Sequence, residues 1–257
     1  MEKARPIKKA VILCGGKGTR MMPYTKSQPK EMLPVITTPL LQRIIEQVIE
    51  AGIKEIFIVI SDNKECIINH FNGLYPDVKI SYGKQAVMRG TGPATMIAKK
   101  FIDHQPFLLI FPDELMLGQN PYQVLIDDFN QHQTTVLSSY RIPLADAHKY
   151  GIIIPANDQD PQVIKGIIEK PKDNPPSDLA SLGTYVLMPE VLDYINEHNQ
   201  DGKEICIVDA INKLPHLRHI ELTGMRFDLG SPLGFAKANT YVALQELPEF
   251  KQWIKEL

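Results

Sequence analysis

Cysteine is scarce in this chain and tryptophan almost missing: 257 residues hold three cysteines and one tryptophan, and aromatic residues make up 7%. Cys14, Cys66 and Cys206 form no Cys-x-x-Cys pair and cannot all join. That excludes a disulfide framework and reads as a reduced, cytoplasmic chain in which each thiol is a small apolar side chain. No apolar run approaches the length of a bilayer span, and the opening Met-Glu-Lys-Ala-Arg-Pro lacks the hydrophobic region of a secretory leader. No membrane association is expected. Neither sign of charge dominates: 28 basic residues face 30 acidic ones, with no polybasic run, so nucleic acid is a disfavoured partner. Histidine supplies no ligand pattern. His70, His104, His132, His148, His198, His216 and His219 stand singly and read as surface residues. Two common nucleotide fingerprints are missing as well. No Gly-x-x-x-x-Gly-Lys-Ser/Thr spacing occurs, and where Gly16 and Gly18 could begin Gly-x-Gly-x-x-Gly, Met21 takes the third place.

What is present is an alternation of short apolar runs with amphipathic stretches. Strands are predicted at Lys9–Leu13, Glu55–Ile60, Val78–Ser81 and Pro106–Phe111. Between them, helices are predicted at Pro39–Ala51, Lys64–Phe71 and Gly92–Phe101. The second half is less regular. Strands are expected at Thr135–Tyr140, Gly151–Pro155, Val163–Glu169 and Gly183–Met188, with His219–Leu222 and Arg226–Asp228 closing the sheet. Helices are expected at Pro189–Glu197, Cys206–Lys213 and Ser231–Glu246, with Trp253 anchoring the C-terminal helix. Repeated β-α-β units imply right-handed crossovers and helices on both faces of a sheet. The fold class read here is α/β: one doubly wound, Rossmann-like domain over 1–257 with a mixed, mainly parallel central sheet. Ligands are then expected at the carboxyl ends of its strands.

The first such end carries the most chemistry. The run Ala10-Val-Ile-Leu-Cys14 stops in Gly15-Gly16-Lys17-Gly18-Thr19-Arg20, and Lys26 and Lys30 follow. Glycines let backbone N–H groups approach anionic oxygens, and fixed cations behind them complete a polyphosphate cradle. Two further strand ends bear carboxylates, Phe111-Pro112-Asp113 and Phe227-Asp228-Leu-Gly230. Either acid could be a helix cap. Together they fit a Mg²⁺ site completed by phosphate oxygens and water. Glu169-Lys170-Pro171 is a common surface tripeptide, yet its carboxylate could hold vicinal hydroxyls of a sugar and its ammonium the sugar's phosphate.

Gly-Gly-x-Gly-Thr-Arg, continued as Thr25-Lys-Ser-Gln-Pro-Lys30-Glu-Met-Leu-Pro34, resembles the signature of the sugar-1-phosphate nucleotidylyltransferases. The longer form is similar in particular to the bacterial members that use UTP and glucose 1-phosphate. The resemblance implies nucleotidyl transfer from a nucleoside triphosphate to a sugar 1-phosphate, releasing pyrophosphate, with Mg²⁺ as cofactor. Carried over residue by residue, it assigns Arg20, Lys30 and Lys170 to the reacting phosphates. Leu13, Cys14, Gly15, Gly16, Gly18, Thr19, Gln85 and Gly90 fall to the nucleotide, Gly151, Glu169, Lys170 and Gly183 to the sugar, and Asp113 and Asp228 to the metal. Tyr150-Gly151 and Leu182-Gly183-Thr184-Tyr185 match the family's sugar-pocket segments in order.

The chain departs from the uridylyl pattern at Gly90-Thr91-Gly92-Pro93, where Gly-Leu-Gly-His is usual. Arg89 adds a donor there. Enzymes that use dTTP, GTP or another base therefore stay open, as does, from another class, a non-catalytic nucleotide-binding regulator. Gly202-Lys-Glu204-Ile-Cys206-Ile-Val208-Asp209 resembles a family segment whose usual Gln and Thr are here Cys206 and Val208, which points to packing rather than contact chemistry. Thr37-Thr38-Pro39 stands where a basic residue before proline is usual. The stretch between Phe71 and Val78 is shorter than in the relatives, so the homo-oligomer expected of the family does not carry over.

Overall fold

The computed structural model describes residues 5–156, 160–196 and 204–256. Its strands are β1 (Lys9–Cys14), β2 (Pro34–Val35), β3 (Thr38–Pro39), β4 (Glu55–Ile60), β5 (Lys79–Lys84), β6 (Phe107–Ile110) and β7 (Glu114–Leu117). They continue as β8 (Thr135–Arg141), β9 (Gly151–Pro155), β10 (Val163–Glu169), β11 (Leu179–Leu187), β12 (Leu217–Glu221) and β13 (Met225–Asp228). The helices are α1 (Leu40–Glu50), α2 (Glu65–Phe71), α3 (Thr91–Ile97), α4 (Lys99–Ile102), α5 (Pro121–His132), α6 (Ile207–Ile211), α7 (Pro232–Glu246) and α8 (Pro248–Glu256).

Nine strands form one sheet in the order β5-β4-β1-β6-β11-β8-β12-β10-β9. β5, β4, β1 and β6 pair in parallel, as do β8 and β12, and only β10 and β11 run against the rest. The sheet is mixed and mainly parallel, as expected. Period-two alternation along β1 explains why both faces are covered. Ala10, Ile12 and Cys14 face a cluster shared with α1, α5 and α7, while Val11 and Leu13 face a second one with α3, α4 and α6. In α1, Leu40, Leu41, Ile44, Ile45 and Val48 fall on one stripe and are all buried. Each such burial stabilises by roughly 1.5–3 kcal/mol relative to exposure.

Several expectations need correction. Arg226–Asp228 does not close the main sheet and pairs with none of its strands. β13 instead pairs antiparallel with β7 in a separate ribbon. The segment 112–134, which carries no assignment from sequence, supplies β7 and α5. Asn120 caps α5, its side-chain oxygen accepting from the N–H groups of Tyr122 and Gln123, and Pro121 opens it. The single helix expected at Gly92–Phe101 breaks at Ala98 into α3 and α4. Pro189–Tyr194 is a 3₁₀ turn, and the predicted end at Glu197 lies outside the described residues, as do His198, Gly202 and Lys203. Trp253 anchors nothing in the body of the fold: it is half exposed on α8 and packs on Phe250 of its own helix.

His219 is not a surface residue. It lies on β12, 5% exposed. Its Nε2 is 2.9 Å from the Pro161 carbonyl, which can only accept, and its Nδ1 is 2.7 Å from the Ser139 hydroxyl. The Pro161 carbonyl fixes one proton on Nε2, and burial, which disfavours adding a second at Nδ1, holds the ring's pKa below the ordinary value. The unfolded chain takes up this proton as pH falls through about 6.5, before the folded chain does. Stability from this site is present above about pH 6.5 and is lost on acidification. The melting temperature of the wild type is expected to fall between about pH 6.5 and 5, and His219→Asn should flatten that slope. An identical slope in the variant, by scanning fluorimetry, would contradict the assignment.

Candidate active site

The glycine loop leaves β1 at the carboxyl edge of the sheet. From Gly15 through Arg20, no backbone N–H has a hydrogen-bond partner among the described residues. Donors left free at an exposed strand end are open to water or to an anion. Gly18 adopts φ 64°, and a Cβ there would lie 2.9 Å from Thr25 Cγ2. The Thr25 hydroxyl donates to the Gly18 carbonyl at 2.9 Å, tying the loop to the turn that follows. Leu13, Gly15, Gly16, Thr19, Lys30, Gln85, Gly90 and Asp113 all border one cleft of about 490 Å³. The structure thus brings most of the expected nucleotide and phosphate residues together. The Cys14 thiol is not among them. It is fully buried, and burial raises its pKa well above the usual thiol value, so this residue offers the cleft only its backbone.

Asp113 and Asp228 meet although 115 positions apart by number (228 against 113). The Leu229 N–H donates to the Asp113 carbonyl at 2.9 Å, and the β7–β13 register sets Asp228 opposite Glu114. Lys30 Nζ lies 3.2 Å from Asp113 Oδ2, and Arg20 Nη1 lies 3.9 Å from Asp228 Oδ2. The second Asp228 oxygen accepts from the Gly230 N–H at 2.8 Å. A Cβ at Gly230 would sit 2.6 Å from Arg20 Nη2, so the exposed arginine would have to swing aside. Both aspartates keep about a third of their side-chain surface open, 33% and 30%. Two hard, accessible carboxylates beside a phosphate cradle suit an oxygen-seeking divalent cation with water left in its shell.

At the base end, Gln85 is 6% exposed and its Nε2 donates to the Gly90 carbonyl at 3.2 Å. Its Oε1 crowds Gly15, where a Cβ would approach to 2.7 Å. Two of the places where the sequence leaves the uridylyl pattern pack against each other. The Gly92 N–H donates to the Ile205 carbonyl at 2.9 Å, and the Ile207 N–H donates to the Thr91 hydroxyl at 2.9 Å. Thr91 Oγ1 also lies 3.9 Å from Cys206 Sγ. The departures at 91–93 and 206–208 are thus one packing unit. Arg89 joins it through its carbonyl, which accepts from the Ile205 N–H at 2.8 Å.

The expected sugar residues Gly151, Glu169, Lys170 and Gly183 do not line this cleft. The Phe111 N–H donates to the Gly183 carbonyl at 2.7 Å, and a Gly183 Cβ would collide with Phe111 at 2.6 Å. Gly151 pairs with Ser181 on one side and Glu169 on the other. A Cβ on Gly151 would lie 3.1 Å from Glu169 Oε1. Burial raises the Glu169 pKa, and the neighbouring Lys170 opposes that shift. Lys170 itself adopts φ 46°, with its side chain exposed.

Four residues of the site were not assigned from sequence. Arg226, two positions before Asp228, pairs with Glu114 and lies 4.8 Å from the Tyr150 ring and 5.9 Å from that of Tyr140. Burial raises the Glu114 pKa while Arg226 and its hydrogen bond lower it. Lys64 and Glu31 form a buried pair under the glycine loop, 2.9 Å apart. Their only sequence signals were a lysine just past the end of β4 and an acid inside the Pro-Lys-Glu-Met-Leu-Pro run.

Free backbone donors, fixed cations and paired aspartates at the carboxyl edge of a doubly wound sheet define a class of enzyme that handles nucleoside polyphosphates. The chain belongs to the nucleotidyl transferase family, whose pattern it matches over residues 9–244. It is 34% identical over 280 residues to a UTP–glucose-1-phosphate uridylyltransferase of Staphylococcus epidermidis, covering 98% of this chain and 97% of that protein. A protein of the same name from Bacillus subtilis is 34% identical over 271 residues, covering 94% and 93%. Among solved structures, a UTP-bound UGPase from Acinetobacter baumannii superposes with a TM-score of 0.88 at 30% identity, over 98% of this chain and 99% of that one. A UDP-glucose pyrophosphorylase in complex with UDP-glucose gives 0.86 at 27% identity, over 93% and 100%.

Gly90 offers a direct check on the base-end geometry. It adopts φ 110°, and a Cβ would meet the Ile205 carbonyl oxygen at 2.5 Å. Gly90→Ala should cost about 1–3 kcal/mol, or roughly 2–4 °C of melting temperature per kcal/mol, and should weaken nucleotide binding. Unchanged melting and unchanged nucleotide affinity would show that the 204–206 segment does not constrain this loop.

Proposed function

We propose that this chain, as one nucleotidyltransferase domain over 1–257, transfers the uridylyl group of UTP to glucose 1-phosphate, forming UDP-glucose and pyrophosphate. The observation that carries the reaction type is the pair Lys30–Asp113, 3.2 Å apart beside a loop of unpartnered N–H donors. The choice of UTP and glucose 1-phosphate rests on the resemblance to the uridylyltransferases named above. The altered Thr91-Gly92-Pro93 favours keeping a second reading, the same transfer with dTTP or GTP. A binding protein without activity is the weaker alternative, because Arg20, Lys30, Asp113 and Asp228 are all retained.

In this reading a phosphate oxygen of the sugar attacks the α-phosphorus, the new P–O bond forms, and the bond to the β-phosphate oxygen breaks with its electrons leaving on pyrophosphate. The obstacle is charge. Two doubly negative groups about 5 Å apart repel by roughly 3 kcal/mol in water and by about 13 kcal/mol at an effective dielectric of 20. Lys30 offsets charge at the α-phosphate. Arg20 and the free N–H groups of the loop hold the departing pyrophosphate, Glu169 orients the sugar hydroxyls, and Lys170 steadies the sugar phosphate. Asp113 and Asp228 are the residues that would hold Mg²⁺, and their open, oxygen-only donor set fits it. When bound, that ion supplies further positive charge for the phosphates. No general base is needed, since the attacking oxygen is already anionic. Among the described residues no helix is long and apolar enough to cross a membrane, and the three cysteines are free. A cytoplasmic setting suits both.

Nucleoside triphosphates assayed in turn against a panel of sugar 1-phosphates, with pyrophosphate release as the readout, test the proposal. UTP with glucose 1-phosphate should turn over fastest. Preference for dTTP or GTP would move the chain to the second reading, and no turnover with any pair would remove catalysis altogether. Arg20→Ala and Lys30→Ala should each lower turnover by ~10²-fold or more, as loss of a preorganised charge-stabilising group does. Near wild-type rates in both would contradict their roles.

A further inference from the structure

Lys64 has no place in the chemistry above, yet it is one of the most fully engaged side chains in the molecule. It is 6% exposed. Its ammonium donates to the Cys14 carbonyl at 2.6 Å, the Gly16 carbonyl at 2.9 Å and Glu31 Oε2 at 2.9 Å. All three of its N–H bonds have an acceptor, which fixes the side chain in place. Two of these acceptors are alternate carbonyls of the glycine loop. In a planar trans peptide the C=O of one residue and the N–H of the next point in opposite directions. Holding the carbonyls of Cys14 and Gly16 toward Lys64 therefore turns the N–H groups of Gly15 and Lys17 away from it. Neither N–H has a partner among the described residues, and Gly15, Gly16 and Lys17 border the cleft.

The third acceptor extends the same control. Glu31 is fully buried, and it sits in the 3₁₀ turn Lys30–Met32, next to the lysine that reaches Asp113. A single buried cation thus joins the loop that offers N–H donors to the turn that offers Lys30. Glycines alone cannot hold such a loop, because each is free to rotate its peptide planes. Left to itself, the loop would pay that ordering entropy each time an anion arrived.

We propose that Lys64, seated on Glu31, is the positioning residue of the polyphosphate loop: it presets the Gly15 and Lys17 amides toward the triphosphate without touching it. The proposal rests on the uridylyltransferase reading for the identity of the ligand, but not for its polyphosphate character. The double variant Lys64→Met/Glu31→Gln removes both charges at once and leaves no lone buried ion. Glu31→Gln alone keeps the ammonium and its two carbonyl bonds. Titration calorimetry with inorganic tripolyphosphate separates them, with circular dichroism confirming the fold.

Tripolyphosphate should bind Glu31→Gln about as the wild type does and should bind the double variant about tenfold more weakly, the loss expected when two charge-assisted contacts no longer hold the loop. In turnover, the KM for the triphosphate should rise by a similar factor while that for the sugar 1-phosphate stays within about twofold. A role confined to stability would lower the melting temperature and leave tripolyphosphate affinity alone, and that result overturns the proposal. So does an equal loss in Glu31→Gln. If the double variant does not fold, Lys64→Gln with Glu31 intact takes its place under the same criterion. A wild type that binds tripolyphosphate but transfers no nucleotide would refute the enzymatic reading and leave this one standing.

Discussion

Three carboxylates stand at one edge of this fold, and the rest of the site is arranged around keeping them there. Asp113 and Glu114 are consecutive, and β13 sets Asp228 directly across from Glu114. Burial and the neighbouring acids both disfavour charge on Glu114, and the Arg226 guanidinium opposes them. Each acid has its own partner. Lys30 serves Asp113, Arg20 serves Asp228, and Arg226 serves Glu114. The partners differ in burial: Arg226 and Lys30 expose 9% and 15% of their side chains, and Arg20 exposes 66%. The Arg226–Glu114 pair is therefore part of the scaffold, and the Arg20–Asp228 pair is open to water. In the proposed reaction the open one lies on the leaving-group side, where a cation must be able to exchange a carboxylate for a phosphate.

Most of the sheet was legible because β-branched runs such as Glu55–Ile60 and Gly151–Pro155 admit few other readings. The loop after β1 and the acids after β6 and β13 were legible too, since glycine, lysine and aspartate at strand ends have few structural uses. What failed depended on distant partners. Arg226–Asp228 has the right composition for the main sheet, but its partner is β7, a strand far earlier in the chain that carries no sequence assignment. His219 reads as a surface residue because nothing nearby announces Ser139 or Pro161. Lys64 and Glu31 are two ordinary surface-type residues until the fold buries them together, 33 positions apart. Only α5 was missed despite a local signal, since Asn120-Pro121 is a start marker by itself.

Two of the deviations from the uridylyl pattern, at 91–93 and 206–208, looked independent along the chain and are not. Thr91 and Gly92 receive the segment Ile205–Ile207 through two hydrogen bonds, with Cys206 against the Thr91 hydroxyl. Thr91, Gly92 and the strip from Ile205 to Ile207 are held as one unit, so a substitution on either side meets the other.

The ribbon that carries Asp228 has a consequence of another kind. Asp113 stands between β6 and β7, so it links the nine-stranded sheet to the ribbon that ends in Asp228. Leu115, Phe227 and Leu229 are buried in the same cluster as β1 and α1 and anchor that ribbon to the body of the fold. The spacing between the two carboxylates is therefore set by core packing rather than by strand pairing alone. Shrinking an apolar side chain under the ribbon would move one acid against the other while leaving every pairing of the large sheet in place.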